Sequence, residues 1–305
     1  MPTPSIPHLG GDAKHSLVCP ACDANASSDR PLRGYPTAIC CQCEHRFVTQ
    51  LATPSQITQH VEATYGDEYF QGGGAGYADY AAEAALLRRH GQRYGHRLAR
   101  HVTPGRLLDV GAAAGFLMEG YHEAGWHCVG VEPNATMAAD GQSRGIDVRH
   151  AMFEHFTMST DEPLFDAVAM VQVLPHFMEP AAALDVARAV TRPGGLWLIE
   201  TWNRRSVVAR LRGEHWHEYS PPSVLHWFTH QSLDALVGRF GGVRIERGRP
   251  RKRIAASHAK SLLRERGRDS AVDRALYGIL RLIPERLTLP YPGDDLFFSI
   301  YRFNG

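Results

Sequence analysis

The sequence predicts an α/β protein: a doubly wound, mostly parallel sheet, preceded by a small cysteine-bearing module and interrupted by a helical insert before its last strand. Three observations predict it. From residue 106 onward, short apolar runs alternate with helical stretches, the pattern of a parallel sheet covered on both faces. The first run, Arg106-Leu-Leu-Asp-Val110, opens into a turn of small residues, Gly111-Ala-Ala-Ala-Gly115, and then into a helix. Five of the six cysteines lie between Cys19 and Cys43.

Taken in order, residues 1–50 read as a leader and the cysteine module, 51–103 as a helical cap, and 104–305 as the α/β domain. Residues 1–16 are polar and proline-rich, and residues 17–50 hold too few long apolar stretches to bury a core alone. The pattern from 55 to 103 is helical, clearest in Tyr80-Ala-Ala-Glu-Ala-Ala-Leu-Leu-Arg-Arg89, with Gly72-Gly-Gly-Ala-Gly76 as a flexible break before it. After the strand at 106–110 come a helix over 114–124, a strand at His127-Cys-Val-Gly-Val131 and a helix over 134–144. Short strands at 146–149 and 165–170 follow, then a helix over 180–190 and a strand at Gly195-Leu-Trp-Leu-Ile-Glu-Thr201. A helix over 230–239 and strands at 242–247 and 296–303 complete the sheet, the last two separated by a mostly helical, basic insert over 249–294.

Composition narrows the function classes. The chain has 44% apolar and 21% charged residues, as a folded globular protein does. Lys plus Arg number 33 against 32 Asp plus Glu, a formal net charge of +1. That balance argues against a general nucleic-acid or membrane-surface binder, which carries a basic excess. No apolar run approaches the roughly 18 residues of a membrane span, and the N-terminus lacks a signal pattern, so a cytoplasmic location is expected.

In a reducing compartment the cysteine cluster reads as a metal site rather than a disulfide framework. Cys19-Pro-Ala-Cys22 and Cys40-Cys-Gln-Cys43 are two C-x2-C knuckles separated by 17 residues. This is zinc-ribbon spacing, in which Cys19, Cys22, Cys40 and Cys43 hold one tetrahedral, structural Zn2+. Cys41 or His45 could replace Cys43 or Cys40.

The turn at 111–115 is the most informative segment. Small residues at Gly111, Ala113 and Gly115 let a ligand approach the backbone at a helix N-terminus. Glu132, 23 residues after Asp109 at the end of the next strand, can accept hydrogen bonds from both hydroxyls of a ribose. A dinucleotide would fit such a turn too. Asp109, however, sits badly against a pyrophosphate and well against a cationic amino-acid ligand, and the turn lacks a full Gly-x-Gly-x-x-Gly.

Asp109-Val-Gly-Ala-Ala-Ala-Gly115 resembles motif I of the class I, Rossmann-like S-adenosylmethionine-dependent methyltransferases, with Ala113 where the middle glycine is usual. Val129-Gly-Val-Glu-Pro133 resembles the second motif, Phe165–Pro180 the fourth, and Arg192-Pro-Gly-Gly195 the turn before the fifth strand. The resemblance covers residues 60–305, weakly over the last 60. It implies a seven-stranded sheet whose last strand runs antiparallel between the fifth and sixth. It also implies S-adenosylmethionine as cofactor: Asp109 and the 111–115 backbone at its methionine part, Glu132 and Pro133 at the ribose, Ala151 and Met152 at the adenine, and Gln172 near the methionine end. Tyr65-Gly-Asp-Glu-Tyr69-Phe70 and Tyr77–Tyr80 resemble the aromatic segment that covers the cofactor in relatives, with Tyr69 able to face the sulfonium.

The same geometry places the acceptor over the ends of strands four and five. There the sequence offers His176, Trp202 and Asn203, then an acceptor loop over 203–228 that concentrates three histidines with Trp216, Tyr219, Trp227 and Phe228 between Gly213 and Phe228. An aromatic wall with imidazoles suits a planar or sugar-like acceptor that needs a base, and His176, His217, Tyr219 and His226 are the candidates. Arg249-Pro-Arg-Lys-Arg253 reads as a solvated face or as a holder of a phosphate or carboxylate on the acceptor. The expected function is methyl transfer to a small-molecule or glycan-type acceptor, first at oxygen, with carbon or nitrogen open. A second reading is an rRNA or tRNA base methyltransferase gripping RNA with its ribbon, which the near-neutral charge disfavours. A third is a binding-only relative, against which Asp109, Gly111 and Glu132 speak.

Overall fold

The computed structural model describes residues 17–51, 54–67, 80–251 and 253–256, residues 260, 278, 282–284 and 287–291, and residues 293–304. Tyr69, Phe70 and Tyr77, the 72–76 break and most of the 249–294 insert lie outside the described residues.

The chain begins with four antiparallel strands, β1 (Leu17–Val18), β2 (Asn25–Leu32), β3 (Tyr35–Cys40) and β4 (Arg46–Val48). Leu32 pairs with Tyr35, so Arg33 (φ 48°) and Gly34 (φ 85°) form a two-residue turn with both φ positive. That turn matches the right-handed twist of a hairpin. Helices α1 (Pro54–Tyr65) and α2 (Ala84–Leu98) follow. Then come β5 (Arg106–Val110), α3 (Phe116–Glu123), β6 (His127–Glu132), α4 (Ala135–Ser143), β7 (Val148–His150), β8 (Phe165–Val171), α5 (Pro180–Val190) and β9 (Thr191–Trp202). The chain continues through α6 (Val207–Arg212), β10 (His226–Trp227), α7 (His230–Gly238), β11 (Gly242–Gly248), β12 (Arg253–Ala255), β13 (Thr288–Pro290) and β14 (Leu296–Phe303).

The main sheet has seven strands in the order β11-β14-β9-β8-β5-β6-β7. Strands β9, β8, β5, β6 and β7 are parallel neighbours, and β14 runs antiparallel between β9 and β11, as the resemblance implies. Period-two alternation divides the core. Val168, Met170, Trp197 and Ile199 face one side, and Ala167, Ala169, Leu196 and Leu198 face the other against Tyr94 and Leu98 of α2 and Tyr121 of α3. Since β6 and β7 lie on one side of β5 while β8 and β9 lie on the other, the order reverses at β5. The crevice beyond the carboxyl ends of β5 and β8 is therefore the place for a ligand.

One expectation is corrected and another is sharpened. The region after β9 is not one open acceptor loop. It contains α6, and its end, β10, joins the N-terminal sheet, pairing His226 with Phe47 and Trp227 with Arg46. Its aromatics form a buried cluster rather than a wall: Trp216, Tyr219 and Trp227 pack with Leu32 and Trp202, and both indole N–H groups find acceptors, Asp295 Oδ2 at 2.8 Å and the Glu218 carbonyl at 2.5 Å. Rings this large gain more from burial than from exposure once their polar edge is satisfied. At the ends of the basic insert β12 and β13 pair antiparallel from Arg253↔Pro290 to Ala255↔Thr288, while Ala256, Lys260 and Gly278 are helical. The β-branched Thr288 suits that ladder.

Candidate active site

Strand β5 delivers the turn. Gly111 (φ 70°), Ala113 (φ 47°) and Gly115 (φ 82°) all lie in the left-handed region. At Gly111 a Cβ would come within 2.4 Å of Val173 Cγ1, so only glycine fits. Ala113, where the related motif carries glycine, holds a conformation that costs a Cβ-bearing residue roughly 1–2 kcal/mol. The turn is pinned to β6: the Gly111 and Ala112 amides donate to the Val131 carbonyl at 2.9 and 3.1 Å. Glu132 ends β6 with its two oxygens accepting the amides of Ala113 (2.8 Å) and Asn134 (2.7 Å). Each carboxylate oxygen keeps a lone pair for a further donor.

Asp109 is buried, and its Oδ2 has no hydrogen-bond partner among the described residues. Burial, and then the charge of Glu132, push its carboxyl up to about 8. Burial pushes Glu132 up to about 6. Two buried carboxyls beside a left-handed turn and the start of α3 form a cleft that favours a cationic ligand with hydroxyl donors. S-adenosylmethionine has both: an ammonium and a sulfonium, and two ribose hydroxyls. Ala151 and Met152 follow β7 next to this cleft, the Ala151 amide donating to the Glu132 carbonyl at 3.1 Å, and His150 Nε2 lies 3.0 Å from the Pro133 carbonyl. The end of α1 closes the cleft's side, because Asn134 Nδ2 donates to the Tyr65 carbonyl (2.8 Å) and Asp67 Oδ1 (2.9 Å).

Gln172 follows β8 with φ 60°. Its amide donates to the Glu200 carbonyl at 2.8 Å and its Nε2 to Glu200 Oε1 at 2.5 Å. Glu200, fully buried near the end of β9, also accepts from Tyr94 and lies 2.9 Å from His90 Nε2. The sequence reading missed this cluster. Its signal was a carboxylate inside an otherwise apolar strand, Leu196-Trp-Leu-Ile-Glu-Thr, which must find partners because an unpaired buried charge is costly.

The four base candidates are not brought together. His176 is partly buried with Nδ1 2.7 Å from the Ser223 carbonyl, and loss of solvation pushes it down to about 4. His226 is buried where β10 joins β4 of the N-terminal sheet, stacked on His45 with ring nitrogens 3.1 Å apart, and burial also pushes it down to about 4. Tyr219 is wedged edge-on between Trp216 and Trp227 with the Arg46 guanidinium over its ring. His217 is different. It is half-buried, edge-on to Trp202 at the end of β9, with Nε2 3.4 Å from Glu218 and Nδ1 3.9 Å from Asp295. His60 of α1, which the sequence reading passed over, lies in the same layer as His176, its Nδ1 2.6 Å from the Pro222 carbonyl.

In the N-terminal sheet, Cys19, Cys22, Cys40 and Cys43 converge with all four sulfurs within 4.8 Å of one another. The Cys19–Cys43, Cys22–Cys40 and Cys22–Cys43 separations are 3.6, 3.4 and 3.3 Å. A disulfide would need about 2.05 Å, whereas thiolates about 2.3 Å from one tetrahedral zinc stand about 3.8 Å apart. Cys41 is exposed beside Ser27, and His45 turns toward His226, so neither substitutes for a member of the four.

Residues 80–242, more than half of the chain, match the family described as a methyltransferase domain. A "Ubiquinone biosynthesis O-methyltransferase" of Xylella fastidiosa (strain M23) is 29% identical over 175 residues, spanning 51% of this chain and 70% of that protein. A protein of the same name from Maricaulis maris (strain MCS10) is 36% identical over 120 residues, 36% of this chain and 46% of that one. Among solved structures, a possible histamine N-methyltransferase from Thermotoga maritima is 17% identical with a TM-score of 0.47, covering 75% of this chain and 96% of its own. The parallel sheet, the left-handed turn after β5 and the family match over residues 80–242 lead to one assignment: the chain belongs to the methyltransferase-domain family and is an S-adenosylmethionine-dependent methyltransferase.

Proposed function

We propose that this methyltransferase acts on a hydroxyl of a small-molecule acceptor, with His217 taking the proton. In the cofactor cleft, Asp109 and the 111–115 amides hold the amino-acid part of S-adenosylmethionine, Glu132 the ribose, and Ala151 and Met152 the adenine. The bound cofactor supplies an electrophilic methyl group. The chain's own task is to align a nucleophile in line with it, exclude water, and remove a hydroxyl proton.

One observation carries the choice of base: of the four candidates, His217 alone combines partial exposure at the carboxyl end of β9 with nearby carboxylates, Glu218 and Asp295. Those charges favour the imidazolium that forms when a proton arrives. His176 and His226, pushed down to about 4 by burial, are poor proton acceptors near neutral pH. Oxygen as the acceptor atom rests on the relatives named O-methyltransferases. The four-cysteine cluster holds a structural zinc, since four protein thiolates leave no open position.

Product analysis with phenolic and sugar hydroxyl acceptors tests the reading. His217→Ala lowers turnover by about 10²–10⁴-fold with cofactor affinity and melting temperature near wild type. Near-normal turnover in His217→Ala contradicts the assignment and leaves alignment and desolvation as the source of rate.

A further inference from the structure

A cleft of about 400 Å³ lies between α2 and the segment that follows β11. Its walls carry Arg93 and Arg97 from α2, Arg100 just after it, and Arg249 and Arg251 from the post-β11 segment, with His90 also in the wall. Five guanidiniums around one cleft are far from the chain's average, which is balanced to a net +1.

The charge is not evenly cancelled. In the lower half, Arg97, Arg100 and His101 all bind Glu246. In the upper half, Arg93 donates to the Arg251 carbonyl and Arg249 to the Gly293 carbonyl. Among the described residues, no carboxylate lies within ion-pair distance of Arg93, Arg249 or Arg251. Asp294 is the acid near enough to feel Arg249. Arg93 is held below its ordinary value by burial and then by repulsion from Arg89, Arg251 and Arg253. A chain that gathers cations against their own repulsion gains most from a ligand with two or more negative charges. Guanidinium forks bind phosphoryl oxygens in bidentate fashion.

The location gives the cleft its meaning. Strand β11 is antiparallel to β14, which is antiparallel to β9. Strand β11 therefore ends at the same sheet edge as the methyl-transfer site. Phe298, in the cleft wall, is level with Glu200 on one side and Gly248 on the other. His90 lines the cleft and lies 2.9 Å from Glu200, which Gln172 binds from the other direction. One imidazole and one carboxylate thus separate the arginines from the acceptor rim.

We infer that this arginine cleft is an anion subsite that holds a phosphate or diphosphate group carried by the acceptor. The inference deepens the small-molecule reading above and rests on it only for the word acceptor. A carboxylate, with one charge, would leave most of the surplus uncancelled, whereas a diphosphate meets it.

Calorimetric titration of the intact protein, saturated with S-adenosylhomocysteine, tests the subsite. Inorganic pyrophosphate binds one per chain. Arg93→Ala and Arg251→Ala each weaken it at least tenfold, without altering S-adenosylhomocysteine affinity or melting temperature, and added salt weakens it in the wild type more than in either variant. In a second arm, phenyl phosphate binds at least as tightly as orthophosphate, because a group borne by the acceptor must leave room for its ester. Absent pyrophosphate binding, or binding unchanged in both variants, overturns the subsite. Pyrophosphate binding with exclusion of phenyl phosphate overturns the acceptor and leaves a free inorganic anion as the ligand. Both arms read heat rather than turnover, so failure of the hydroxyl-acceptor reading, seen in product analysis, is a separate result.

Discussion

Asp109 and Glu132 are both buried, and among the described residues neither carboxyl forms an ion pair. In the ligand-free protein both carboxyls are pushed up, to about 8 and about 6. The folded state therefore holds protons that the unfolded chain has already lost above pH 4, and its stability from these groups falls as pH rises from about 4 to 8. A cationic ligand reverses the preference, since it binds the ionised forms. The affinity for S-adenosylhomocysteine, whose ammonium stays charged throughout, should rise between pH 6 and 8 by up to about tenfold per unit. Calorimetry in buffers of different ionisation heat would also show proton release. A flat profile with no release would mean that the carboxyls are ionised before the ligand arrives. At this scale the sequence was most legible where geometry leaves few choices: Gly111 must be glycine, and Glu132 must end a strand. It was least legible at Glu200, because nothing local says which helix will bring His90 and Tyr94 to it.

Among the elements, β10 is the least expected. Two residues, His226 and Trp227, carry the N-terminal sheet onto the catalytic domain. The junction is reinforced by Thr229 Oγ1 donating to the Cys43 carbonyl (3.0 Å), Arg204 to the Glu44 carbonyl (2.6 Å) and Arg239 to the Pro20 carbonyl (2.8 Å). All three acceptors sit in or beside the cysteine knuckles, so we propose that a metal held there and the junction are coupled. Elemental analysis of protein never exposed to chelator should find one zinc per chain. Cys19→Ser should lose it and increase amide exchange in residues 213–230 as well as 17–50. Zinc near zero contradicts the metal site, while exchange confined to 17–50 contradicts the coupling. The cysteine spacing made the four-cysteine cluster visible in the sequence, but not the docking of its sheet. Strand β10 is too short to show alternation, and its aromatics read equally well as an acceptor wall. They are buried because Trp216 and Trp227 found Asp295 and Glu218 as acceptors, a pairing that depends on contacts as far as 79 residues apart.

On the scale of the whole molecule, the doubly wound sheet was legible from strand and helix alternation, down to the antiparallel β14 that the resemblance implied. Long-range charge placement was not. The run Arg249–Arg253 reads as a solvated face until α2 and the turn after it are seen to bring Arg93, Arg97 and Arg100 against it. The molecule thus sets the buried carboxyls Asp109 and Glu132 at β5 and β6 and Glu200 on β9, with an arginine cleft between α2 and the segment after β11. No helix among the described residues is long and apolar enough to cross a membrane. The measurement that bears most directly on this account is S-adenosylhomocysteine binding to wild type, Asp109→Ala and Glu132→Ala by calorimetry. The account predicts one site per chain, weakened in each variant by about 10-fold or more, the effect of losing a charged hydrogen-bond partner of about 1.5–3 kcal/mol. Wild-type affinity in both variants would contradict the placement of the cofactor, and with it the chemistry built around the β5 turn.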